Sequence, residues 1–98
     1  MKIKEGVIMQ GLNICMREVL IAAEKIWDEL GEELVVTSAL EGQHSAGSMH
    51  FYGYALDFRT RYFSEFEAQQ AFVRLTEALP GFIVVLEETH IHVQCKDY

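Results

Sequence analysis

At 98 residues, half of them hydrophobic, the chain is long enough to bury one core and too short for two, so a single domain over 1–98 is expected. Its 8 Lys and Arg stand against 15 Asp and Glu, and the formal net charge of −7 argues against the basic face that a nucleic-acid or acidic-membrane partner needs. The apolar run after Lys2 and Lys4 is broken by Asn13, Arg17 and Glu18, which argues against a signal peptide or a spanning helix and for a cytoplasmic chain.

Leu12, Met16, Val19, Leu20, Ala23, Ile26, Trp27 and Leu30 recur at helical spacing, and Gly31 supplies a stop, so a first helix is expected over 12–30. The β-branched stretch 34–38 reads as a short buried strand. From 40 to 48 the residues Glu41, Gly42, Gln43, Ser45, Gly47 and Ser48 make a polar loop of the kind that carries binding groups. A strand is expected over 52–60. Ser64 then opens a second helix with Glu67 three residues on, as in a capping box; Ala68, Ala71, Phe72, Leu75 and Leu79 form its buried stripe, and Pro80-Gly81 stops it. The runs 82–86 and 91–95, separated by "EETH", suggest an antiparallel hairpin. The order points to an α+β fold with a small, mainly antiparallel sheet and two helices. Cys15 falls in the first helix and Cys95 after the last strand; these contexts look unrelated, and reduced thiols are expected rather than a disulfide.

All four histidines fall in two places, His44 and His50 in the first loop, His90 and His92 at the last strand. His90 and His92 alternate, so both point to one face, and two imidazoles on one face are costly unless something pairs with them. Asp57 and Arg59 share a face in the same way. His50 and Asp57 lie an odd number of residues apart, so a shared ligand requires a bend, for which Gly53 is the natural hinge. Two histidine nitrogens and one carboxylate oxygen, with a fourth position for water, form a ligand set of the catalytic zinc type, which makes His50, Asp57 and His92 candidate ligands. The bland alternative is a set of solvated histidines and a half-buried aspartate.

The stretches "SMHFYGYALDFRT" and "VVLEETHIHVQ" resemble the Ser-x-His-x6-Asp and His-x-His signatures of the zinc D-Ala-D-Ala carboxypeptidase and L-alanyl-D-glutamate endopeptidase family (peptidase family M15), and of the hedgehog signalling domain that shares its fold. The likeness runs from about 35 to 94 and is especially marked to small phage and bacterial members. The resemblance implies a hedgehog/DD-peptidase-like fold, Zn2+ held by His50, Asp57 and His92, and hydrolysis of a bond next to a D-amino acid in peptidoglycan stem peptides. It implies His90 as a donor beside the metal and an acid just before it as general base, Glu87 first and Glu88 as the alternative. Some family members place that acid at the position of Thr89, which cannot serve. Ser48 matches a serine that contacts substrate in relatives. The loop 37–45 lacks the family's usual carboxylate-binding arginine and offers Gln43 and His44 instead, while Arg59 is the guanidinium nearest the metal in sequence. A cell-wall substrate would be reached by lysis, as with phage lytic enzymes. The competing expectation is a zinc-binding, non-catalytic module of the same fold that binds a peptide or protein partner.

Overall fold

In the computed structural model, which describes residues 1–40 and 53–96, the elements in chain order are β1 (Lys2–Ile3), α1 (Met16–Glu29), β2 (Val35–Ser38), β3 (Ala55–Arg59), α2 (Glu65–Ala78), β4 (Phe82–Leu86) and β5 (His90–Cys95). The fold is α+β, and among the described residues the five strands form one sheet in the order β1-β2-β3-β5-β4. Every pairing is antiparallel except β1 with β2. No helix among the described residues is long and apolar enough to cross a membrane.

The first helix starts four residues later than its apolar spacing suggests. Gly53 is the reason: its amide carbonyl accepts from the Asn13 N–H at 2.9 Å, and a Cβ on it would stand 2.8 Å from the Gly11 carbonyl oxygen. That contact holds 11–13 off a helical course, and the Asn13 Oδ1 takes the Cys15 N–H at 3.0 Å in a local turn. Gly53 also has φ +80, so the expected strand breaks there and begins at Ala55. The end of α1 follows the sequence: Gly31, at φ +83, donates to the Asp28 carbonyl and Glu32 to that of Trp27, a Schellman pair.

The opening of α2 is also as expected. The Glu67 N–H donates to the Ser64 hydroxyl at 3.2 Å, and the Glu67 carboxylate accepts from the Ser64 N–H at 3.1 Å. Ala71, Leu75 and Leu79 are buried, and Ala68 and Phe72 pack beside them.

Both helices cover one face of the sheet. Val36, Leu56, Phe58, Ile91 and Val93 meet Val19, Ala23, Trp27, Ala71 and Leu75 there. Trp27 anchors this layer, its ring 5.8 Å from that of Phe58 and 5.6 Å from that of Phe63, while its indole N–H donates to the Arg59 carbonyl at 3.2 Å. Strand alternation sends Asp57, Arg59, His90, His92 and Gln94 to the opposite face.

The two cysteines are not in unrelated surroundings. Both are reduced, and their thiols hydrogen-bond to each other across the interval from the start of α1 to the end of β5. The backbone explains the meeting: Cys95 donates to the Tyr54 carbonyl at 2.9 Å, next to the Gly53 carbonyl that holds Asn13. Burial first, and the second thiol after it, push the Cys15 thiol up to about 11.

Candidate functional site

The register of β3 against β5 places Asp57 directly opposite His92 and Arg59 opposite His90. On the open face this brings a carboxylate between two imidazoles. Asp57 Oδ1 lies 3.0 Å from His92 Nδ1, and Oδ2 lies 3.7 Å from His90 Nε2. The hairpin between β4 and β5 closes with the Glu87 N–H donating to the His90 carbonyl at 2.9 Å, which fixes Glu87 beside His90. Its Oε2 then reaches His90 Nε2 at 2.9 Å, and the Thr89 hydroxyl meets His90 Nδ1 at 3.1 Å.

His92 completes a chain of polar groups. Its Nε2 lies 2.7 Å from Gln94 Oε1, so with Asp57 on the other side both ring nitrogens face acceptors. The hydrogen bond to Asp57 raises the pKa of His92; burial opposes this, and Gln94 and the nearby charges of Asp57 and Glu87 add to the rise. Without a metal the ring is therefore held toward its protonated form.

The Asp57 and His92 pair also suits a metal. Two donors of one tetrahedral zinc stand about 3.3 Å apart, since each is ~2.0–2.1 Å from the ion, and the Oδ1 to Nδ1 separation of 3.0 Å is close to that. Among the described residues no three His, Cys, Asp or Glu side chains form a metal-holding group. The expected third ligand, His50, lies outside the described residues, as do Ser48 and His44.

Of the remaining expectations, Glu87 and His90 are in contact, whereas Glu88 makes no hydrogen bond or ion pair among the described residues. Arg59 sits on the same face as Asp57, at the wall of a recess of about 250 Å³ that Lys4, Arg61, Ser38 and Thr89 also line.

Two contributors were not read from the sequence. Gln94 continues the alternation His90, His92, and that period could have found it. Ser38 faces Asp57 only because β2 carries a bulge: Val36 pairs with Phe58 and Ser38 with Asp57, so Thr37 is an extra residue that re-aims its neighbour. The Thr37 hydroxyl donates to the Asp57 carbonyl at 3.4 Å. No family model matches the chain, and a search of curated proteins returns no match.

Proposed function

We propose that the chain is a zinc peptidase of the D-Ala-D-Ala carboxypeptidase and L-alanyl-D-glutamate endopeptidase type, acting on a bond next to a D-amino acid in peptidoglycan stem peptides. The observation that carries the reading is the pairing of Asp57 with His92 on the open face, with the Glu87 and His90 couple at its side. His50, Asp57 and His92 would hold the zinc. When bound, zinc supplies a Lewis acid that polarises the scissile carbonyl and acidifies the attacking water.

The protein's own groups divide the proton work. Glu87 takes a proton from the water on its carboxylate and delivers it to the leaving amine. His90, held between the carboxylates of Glu87 and Asp57, donates from Nε2 to the oxygen that gains charge. Gln94, accepting from His92 Nε2, fixes the orientation of the ring and leaves Nδ1 for the metal.

Metal analysis and muropeptide hydrolysis on one set of variants test the reading. About one zinc per chain is expected, lost in His50→Ala, Asp57→Ala and His92→Ala. Glu87→Gln should keep zinc and lose roughly a hundredfold or more in turnover, and His90→Ala should keep most zinc while kcat falls more than KM rises. Zinc retained in all three ligand variants would refute the site. Bound zinc with no hydrolysis by the parent chain would favour the non-catalytic binding module.

A further inference from the structure

Strand β4 forms one edge of the sheet, and its sequence, Phe82-Ile83-Val84-Val85-Leu86, carries no charge and no proline. Edge strands that stay single are blunted by such residues, because a free row of N–H and C=O groups templates another strand. The ladder tells which groups are free. Glu87 donates to the His90 carbonyl and Lys96 to that of Gly81, so by antiparallel alternation Gly81, Ile83, Val85 and Glu87 bond toward β5 while Phe82, Val84 and Leu86 aim their backbone groups outward. The Phe82 N–H is taken by the Leu79 carbonyl at 3.1 Å, whereas those of Val84 and Leu86 have no partner among the described residues. On the open face the side chains of Ile83 and Val85 stand exposed beside this edge.

We infer that this edge pairs with the same edge of a second copy of the chain, antiparallel about a two-fold axis at Val84, so that two sheets join into one and each copy places Lys96 beside the other's Glu87. In this register Val84 meets Val84, Phe82 meets Leu86 and Ile83 meets Val85 of the other copy. Every outward N–H then finds a carbonyl, Val84 donating to Val84 and Leu86 to Phe82. A one-residue slip would oppose these groups with residues whose own N–H and C=O are already spent on β5. Centring on Phe82 would oppose Val84 with Pro80, which has no N–H, and centring on Leu86 would crowd Glu87 and Glu88 of two chains that each carry a net charge of −7. Charge selects the Val84 register in its own right. The two Glu87 residues stand six positions apart in it, about 20 Å at strand rise. Each faces Gly81 of the other copy, and Gly81 is bonded on its inner side to Lys96. All three positions lie on the open face, where the glycine raises no side chain between the charges. Lys96 is exposed and has no carboxylate partner among the described residues. Two strand spacings, about 10 Å between Cα atoms, are within the joint reach of a lysine and a glutamate. Glu87 is half exposed and gives Oε2 to His90 at 2.9 Å, so the second copy adds a cation to that couple.

The test is analytical ultracentrifugation of the chain from micromolar to millimolar concentration, with and without chelator, since the pairing needs neither zinc nor hydrolysis. A monomer and dimer in equilibrium are expected, with no larger species, because a two-fold contact closes on itself. Ile83→Glu, at an exposed position, and Val84→Pro, which deletes an N–H that the monomer leaves unused, should each weaken the dimer about tenfold or more, with melting curves to show that both variants fold. Lys96→Glu and Glu87→Lys carry the decisive comparison. Each alone sets like charges together at both ends of the contact, whereas a mixture of the two restores opposite charges at both ends. The mixed dimer should therefore be roughly tenfold or more tighter than either variant with itself. A chain that stays monomeric throughout, an open-ended polymer, an association that Ile83→Glu leaves unchanged, or a mixture no tighter than its separate components would overturn the inference.

Discussion

Asp57 gives one oxygen to each of two histidines, and the two imidazoles are treated unequally. His90 has an acid of its own in Glu87, whereas His92 depends on Asp57 and Gln94. The raised pKa of His92 therefore predicts how the metal-free fold responds to pH. A histidine whose pKa rises on folding stabilises the native state fully below its unfolded value of about 6.5, and that contribution is lost as pH climbs through the higher folded value. After chelation, the difference in melting temperature between the parent chain and His92→Gln should be largest near pH 6 and shrink toward pH 8. A difference that stays constant or grows over that range would contradict the assignment. On the proposed zinc reading, metal and proton would compete for the His92 ring, and zinc affinity should weaken as pH falls through the same interval.

Elements were legible in the sequence where one local signal sufficed. The Ser64 and Glu67 box and the Pro80-Gly81 stop bound α2 without help from the rest of the chain, and Gly31 does the same for the end of α1. The start of α1 was not legible, because Leu12 keeps the apolar period and only a contact with Gly53, some forty residues away, takes it out of the helix. Strand β1 has two residues, too few to show a period, and the β2 bulge changes a face without changing composition. The site divides along the same line. Alternation puts His90 with His92 and Asp57 with Arg59, whereas the meeting of the two pairs, and the arrival of Ser38 and Lys4 beside them, depends on strand pairing that no short window encodes. The Gly53 contact is measurable. Gly53→Ala should cost about 2 kcal/mol or more, combining a left-handed backbone with a Cβ forced onto the Gly11 carbonyl. Gly31→Ala, at a similar φ with nothing within 4 Å of its Cβ, should cost visibly less. Urea midpoints at constant m-value would check the pair, and equal losses would mean that the close approach contributes nothing.

At the scale of the whole molecule, the helices pack their buried stripes onto one face of the sheet and leave the other to charged and polar groups, with Ile83 and Val85 of β4 as its exposed apolar edge, while Ile21, Phe66 and Val73 stay exposed on the helices. Seven of the 15 acids lie on the two helices, whereas Lys4, Arg59 and Arg61 gather at one small recess beside Asp57. The contact between Cys15 and Cys95 turns this architecture into a clock. Residues 15 and 95 bracket nearly the whole chain, so neither the N-terminal turns nor the final strand can detach without parting the thiols. With Cys15 pushed up to about 11 and Cys95 buried, alkylation at pH 8 should be far slower than in the denatured chain and should quicken as pH approaches that value. The thiol's contribution to stability is complete below its unfolded value of about 8.5 and drains away between there and about 11. Below that window, labelling of Cys95 proceeds only as often as its contact with Cys15 opens, so its rate counts the excursions of the native state and gives the opening free energy of that part of the fold without any denaturant.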